Sequence, residues 1–103
     1  MTNKKLAQIE QRIEKAKTKL VLIEEMRPGS LTRQYKHSED QTGAYYQISY
    51  TLDMKSRTEY VRKECVSDIR KQIANYKRFK KLTTEWIKLS IEHSKLSMKL
   101  KHK

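Results

Sequence analysis

The chain has 103 residues, 36% hydrophobic and 35% charged, with 24 basic against 12 acidic side chains and a formal charge of +12. An ordinary globular domain is roughly 45–50% apolar, so a thick core is excluded. Two glycines and one proline exclude a multi-turn β architecture. One domain spanning 1–103 is expected, built on long helices with narrow apolar seams.

The opening residues, 1–17, are charged and lack the apolar stretch of a secretory signal. The longest apolar run, Leu20–Ile23, is far short of the ~20 residues that span a membrane. The single cysteine, Cys65, permits no intrachain disulfide and no zinc site of its own. These features point to a cytoplasmic protein with no membrane partner, cofactor or metal.

Leu6, Ile9, Ile13, Ala16, Leu20 and Ile23 are spaced 3, 4, 3, 4, 3, the seam of a heptad helix. Arg27-Pro28-Gly29 should end it, because a residue before proline avoids the helical region. Helix 1 is therefore expected over 3–26, roughly 36 Å long.

Residues 30–62 change character. Ser30–His37, Ala44–Leu52 and Arg57–Arg62 are rich in Tyr, Thr, Ile and Val and are separated by polar stretches at 38–43 and 53–56. That pattern predicts a three-stranded antiparallel β-meander. Alternation puts Tyr46, Ile48 and Tyr50 on one face of the central strand, with Tyr45, Gln47, Ser49 and Thr51 on the other. The face with Ile48 is the expected core face. Tyr46, Tyr50 and Tyr60 are expected to pack the sheet onto the helices, leaving Tyr35 or Tyr45 to stack or touch a phosphate.

From Lys63 to Lys101 nothing breaks a helix, and Val66, Ile69, Ile73, Tyr76, Phe79, Leu82, Trp86, Leu89, Leu96 and Leu100 form its stripe, with His93 in one slot. The fold class is thus α+β: long helix, meander, and a longer helix over 63–101, the helices pairing as an antiparallel coiled coil. Helix 2 should be roughly 58 Å long, some 22 Å longer than helix 1. Pairing around the sheet would leave its distal residues uncovered. Trp86, Leu89, Leu96 and Leu100 then become the expected dimer or partner interface, and a homodimer is the simplest cover.

The charge is uneven. Residues 1–26 and 27–62 each carry +2, whereas residues 63–103 carry +8. Its densest cluster is Lys77, Arg78, Lys80 and Lys81, a surface suited to phosphates; a merely solvated basic face is the alternative. On the sheet, Arg33, Lys36, Arg57 and Arg62 could extend the contact, with Gln47 and Ser49 facing base edges, since a β-ribbon fits the major groove of duplex DNA. The same residues also suit the wet face of any antiparallel sheet.

Enzyme chemistry finds no such pattern. His37, His93 and His102 are scattered, and no glycine-rich phosphate loop or paired carboxylates occur. Cys65 is expected to be a buried structural cysteine rather than a nucleophile.

Met26-Arg27-Pro28-Gly29-Ser30-Leu31, then Gly43 to Tyr50 with its paired tyrosines, then Tyr60-Val61, and finally Asn75 to Leu82 with Tyr76-Lys77-Arg78-Phe79 occur in that order. The set resembles an uncharacterised family of short bacterial proteins often encoded beside transposases or in mobile elements. Its members show RPGSL after a first helix, a paired-tyrosine strand, a YV strand and Y-[KR]-R-F on the last helix. Many carry several cysteines in the first hairpin followed by His-Gly-Pro. Here that loop reads His37 to Ala44 with no cysteine, so a metal role is unsupported. The resemblance implies a mobile-element context and DNA as partner, with a transposase as a possible protein partner.

Together these readings anticipate a small non-enzymatic DNA-binding protein of accessory or regulatory role, gripping double-stranded DNA through Lys77, Arg78, Lys80 and Lys81. RNA is not separable from DNA by charge and aromatics alone. The alternative is a coiled-coil adaptor whose distal helix 2 face docks a partner protein.

Overall fold

A computed structural model describes the backbone of residues 2–101 and the side chains from Lys4 to Lys101. In chain order come α1 (Thr2–Val21), β1 (Ser30–His37), β2 (Thr42–Leu52), β3 (Lys55–Val61), a 3-10 turn at Lys63–Cys65, and α2 (Val66–Lys101). The architecture is the expected α+β one, with β2 central in an antiparallel sheet of order β1-β2-β3. Contacts group the chain into two compact units. A helical hairpin joins α1 to α2 from Arg78 onward, and a sheet unit runs from Glu24 to Lys77.

In the hairpin the helices are antiparallel. Glu10 of α1 meets His93 at 3.0 Å, while Lys17, one heptad later, sits 5.2 Å over the Trp86 ring, one heptad earlier on α2. Ile9 and Ala16 are buried on α1, as are Leu82 and Leu89 on α2, each pair seven residues apart as a heptad seam requires.

This pairing corrects the expectation of an uncovered distal helix. The first turns of α2 are taken by the sheet, so α1 covers the distal stretch instead. Leu89 is only 3% exposed, and Trp86, Leu96 and Leu100 are partly buried. Leu89 is therefore buried in the hairpin, and Trp86, Leu96 and Leu100 are half-buried on the same side of α2 rather than fully uncovered.

α1 stops at Val21, five residues short of the expected end. The N–H groups of Leu22 and Ile23 reach back only three residues, to the carbonyls of Lys19 and Leu20, so the last turn tightens. Val21 and Leu22 are 83% and 73% exposed and gain nothing from further winding. Glu24 and Glu25 would also place negative charge at the negative end of the helix dipole. The segment that follows is tied to α2 within the sheet unit. Arg27 N–H donates to the Gln72 carbonyl, and the Asn75 side chain donates to the Glu25 carbonyl.

Gly29 then enters the sheet at φ +133°, where an added Cβ would lie 2.8 Å from the Ser49 carbonyl oxygen, so only glycine fits. β2 and β3 join through Asp53 and Met54, both at positive φ, a two-residue turn in place of the expected four-residue loop. Lys55 and Ser56 are therefore strand residues. The second helix begins at Val66 rather than Lys63, since Cys65 N–H bonds the Arg62 carbonyl three residues back. Cys65 is exposed, against expectation, because the first inward position is Val66.

The core of the sheet unit is Ile48, Val61, Val66 and Ile73, with Leu31, Tyr46 and Ile69 packed against it. Alternation along β2 holds as expected: Tyr46, Ile48 and Tyr50 face α2. Tyr60 does not. Its register partner is Gln47, which puts it on the other face, 67% exposed.

Beside that core, Arg27 donates to Glu59 at 2.6 Å and the Tyr50 hydroxyl donates to the other Glu59 oxygen at 2.7 Å. The Arg27 hydrogen bond, followed by that of Tyr50, holds the Glu59 carboxyl below the usual carboxylate range. Folding thus favours the ionised form, so its contribution is complete above the ordinary pKa and disappears as pH falls through the depressed one. Wild type is expected to lose urea resistance between about pH 5 and pH 3 more steeply than Glu59→Gln. Superimposable acid profiles would refute this coupling.

Candidate nucleic-acid interface

Lys77, Arg78, Lys80 and Lys81 are all exposed on α2. At about 100° per residue, Lys80 and Lys81 bound a ~100° arc with Arg78 on its flank. Lys77 belongs to the sheet unit and the other three to the hairpin. In the hairpin, Lys81, Lys88, Lys95 and Lys99 continue at spacings of seven, seven and four, a basic stripe roughly 27 Å long. Lys95 and Lys99 are absent from the sequence-predicted site, although their heptad spacing was the signal that could have found them. An open groove of about 600 Å³ is lined by Arg12, Lys80, Lys81 and Lys88 together with Glu85 and Glu92. Its charge is mixed, so the grip on phosphate is expected along the exposed stripe.

The pleat divides the four cations assigned to the sheet. Arg33 and Arg57 lie opposite Tyr46 and Tyr50 in the register, which places them on the α2 side. The exposed Arg33 guanidinium lies 5.5 Å over the half-buried Tyr35 ring, a cation–π pair. Lys36 alternates to the outer face. Arg62 lies just beyond β3, exposed and with extended backbone (φ −63°, ψ 146°), and the alternation of β3 carried on past Tyr60 assigns it to that outer side. The structure therefore divides the four between two faces and does not gather them into one quartet.

The outer face is polar. β1 presents Ser30, Thr32 and Gln34, β2 presents Gln47, Ser49 and Thr51, and β3 presents Ser56 and Thr58. Hydroxyls meet across the strands, Ser49 with Thr58 at 3.2 Å and Thr51 with Ser56 at 3.1 Å. Tyr45 and Tyr60 stand at one end, ring centroids 6.4 Å apart and tilted by 36°. Among the described strand positions on this face Lys36 alone is charged, in a chain that is 35% charged.

Among the described residues, no group of three His, Cys, Asp or Glu side chains is placed to hold a metal ion, and no helix is long and apolar enough to cross a membrane. His93, in the apolar stripe of α2, is instead satisfied by Glu10. No family model, curated protein or solved structure matches the chain.

Proposed function

We propose that this chain is a small, non-enzymatic, cytoplasmic DNA-binding protein with an accessory or regulatory role in a mobile genetic element. The observation that carries the reading is the concentration of charge: residues 63–103 hold +8 of the total +12, and Lys77, Arg78, Lys80, Lys81, Lys88, Lys95 and Lys99 are exposed along α2. Each phosphate neutralised releases counterions, so such a stripe attracts a duplex backbone whatever its sequence. The RPGSL, paired-tyrosine, YV and Tyr-Lys-Arg-Phe segments support the mobile-element setting, in which a transposase is the expected protein partner.

The test is fluorescence anisotropy with duplex DNA, single-stranded DNA and duplex RNA between about 50 and 200 mM salt. A preference for duplex DNA, with a slope corresponding to several released ions, supports the reading. Weak, indiscriminate binding that vanishes at 200 mM returns the charge to mere solvation.

The adaptor reading keeps one specific observation in its favour. Ile87, Ile91 and Met98 are 60%, 52% and 55% exposed. Spaced by four and seven, they form a stripe on the side of α2 opposite the seam with α1. This stripe, rather than Trp86 and Leu89, is where a helical partner or a second copy would pack. Ile91→Glu is expected to weaken self-association at least tenfold in sedimentation equilibrium while leaving helix content unchanged. A wild type that stays monomeric at about 100 µM removes the homodimer and leaves the stripe to another protein.

A further inference from the structure

We infer that the aromatic end of the outer sheet face, Tyr45 and Tyr60 flanked by Lys36 and Arg62, is a stacking site for unpaired nucleotides. The inference rests on the nucleic-acid reading above but uses a different surface, the sheet face opposite the Ile48 core.

Three observations carry it. First, Tyr60 is 67% exposed although the opposite face of the same sheet has a core that buries aromatic surface. A one-residue change in alternation would have hidden it, so its outward placement leaves a large apolar ring in water with Tyr45 beside it. At 6.4 Å and 36° the two rings touch obliquely and do not cover each other's faces. Second, the register sets an amide beside each ring: Gln34 opposite Tyr45 and Gln47 opposite Tyr60. A primary amide both donates and accepts, as a base edge requires.

Third, the charge is complementary. Lys36 and Arg62 lie on this side and no carboxylate occupies its strand positions, since Glu59 points to the other face and is held by Arg27 and Tyr50. Glu39 and Asp40 lie in the β1–β2 turn, where Asp40 accepts a hydrogen bond from Thr42. A face serving only solvation in this chain would carry lysines and glutamates, as α2 does.

A base inside a duplex keeps its faces covered by its neighbours, so the exposed Tyr60 ring with the half-buried Tyr45 beside it selects unpaired nucleotides. Stacking tolerates any base, and the two cations take the backbone phosphates. Single-stranded DNA and RNA share this chemistry, and the 2′-hydroxyl separates them.

The experiment compares wild type, Tyr45→Ala/Tyr60→Ala and Tyr45→Phe/Tyr60→Phe for binding to oligo(dT), oligo(rU) and a mixed-sequence duplex at about 100 mM salt. The alanine pair is expected to weaken single-strand binding about thirtyfold or more, while the phenylalanine pair keeps it, because a ring without its hydroxyl still stacks. Duplex affinity should change by no more than about twofold, since α2 is untouched. Both tyrosines face solvent or are only partly buried, and an unchanged circular dichroism spectrum shows that the sheet persists. Equal losses on duplex and single strands overturn the stacking site, as does an alanine pair that binds oligo(dT) normally. A wild type that binds duplex but neither oligonucleotide overturns this inference alone; one that binds nothing overturns both readings.

Discussion

Replacing Lys77, Arg78, Lys80 and Lys81 together by alanine is expected to flatten the salt dependence of duplex binding by about three to four units of slope. At about 0.1 M salt this corresponds to roughly a hundred- to thousand-fold loss of affinity, spread evenly over all sequences. The physics is counterion release: each phosphate contact contributes close to one ion, and four contacts are removed at once. Because all four side chains are exposed, the helix should remain folded and the loss should appear in binding alone. A single-residue counterpart, Lys95→Ala, should lower the slope by about one unit if the stripe is followed to its end. An unchanged slope in the quadruple variant would remove α2 as the phosphate-binding element.

The largest stability effect is expected at Ile48. It is the one fully buried large side chain among the described residues, at 0% exposure, and it meets Val61, Val66 and Ile73. Ile48→Ala deletes apolar contacts on both sides of the sheet–helix interface and leaves a cavity that a core of so few residues cannot refill. A loss of about 2–5 kcal/mol follows, against a total stability of about 5–15 kcal/mol for a small domain. Urea unfolding followed by tyrosine fluorescence measures it. Ile87→Ala, at an exposed position of α2, is the control and should stay within about 0.5 kcal/mol. Equal effects at the two positions would contradict the core assignment.

Much of the fold was legible because helix and strand periods are local. The α1 seam Leu6, Ile9, Ile13, Ala16, Leu20 and Ile23 is partly or fully buried throughout, as is the α2 stripe from Val66 to Leu100. Ser30–His37 forms β1 with no change of boundary. Errors gathered at ends and turns. There, a few hydrogen bonds outweigh pattern, as where Leu22 and Ile23 tighten the last turn of α1 or Asp53-Met54 closes the hairpin in two residues.

The candidate site was legible as a composition and not as a surface. Lys77, Arg78, Lys80 and Lys81 could be found because sequence neighbours on a helix stay within one or two turns. Arg33, Lys36, Arg57 and Arg62 could not be grouped in the same way, because strand register decides which share a face, and one residue of offset reverses the answer. Tyr60 shows the same dependence: only its pairing with Gln47 places it outward.

By itself, then, the sequence determined which segments are helix and strand, that β2 buries Ile48, and where the positive charge is concentrated. Those are properties of spacing and composition within single elements. Tertiary structure alone decided that α1 runs antiparallel along the distal part of α2 and that Leu89 is buried there, that Ile87, Ile91 and Met98 remain outside, and that the sheet's cations and tyrosines divide between two faces. Each of these depends on which element meets which and in what register, and that pairing is set by the competition of several apolar surfaces for one another, which no single segment encodes.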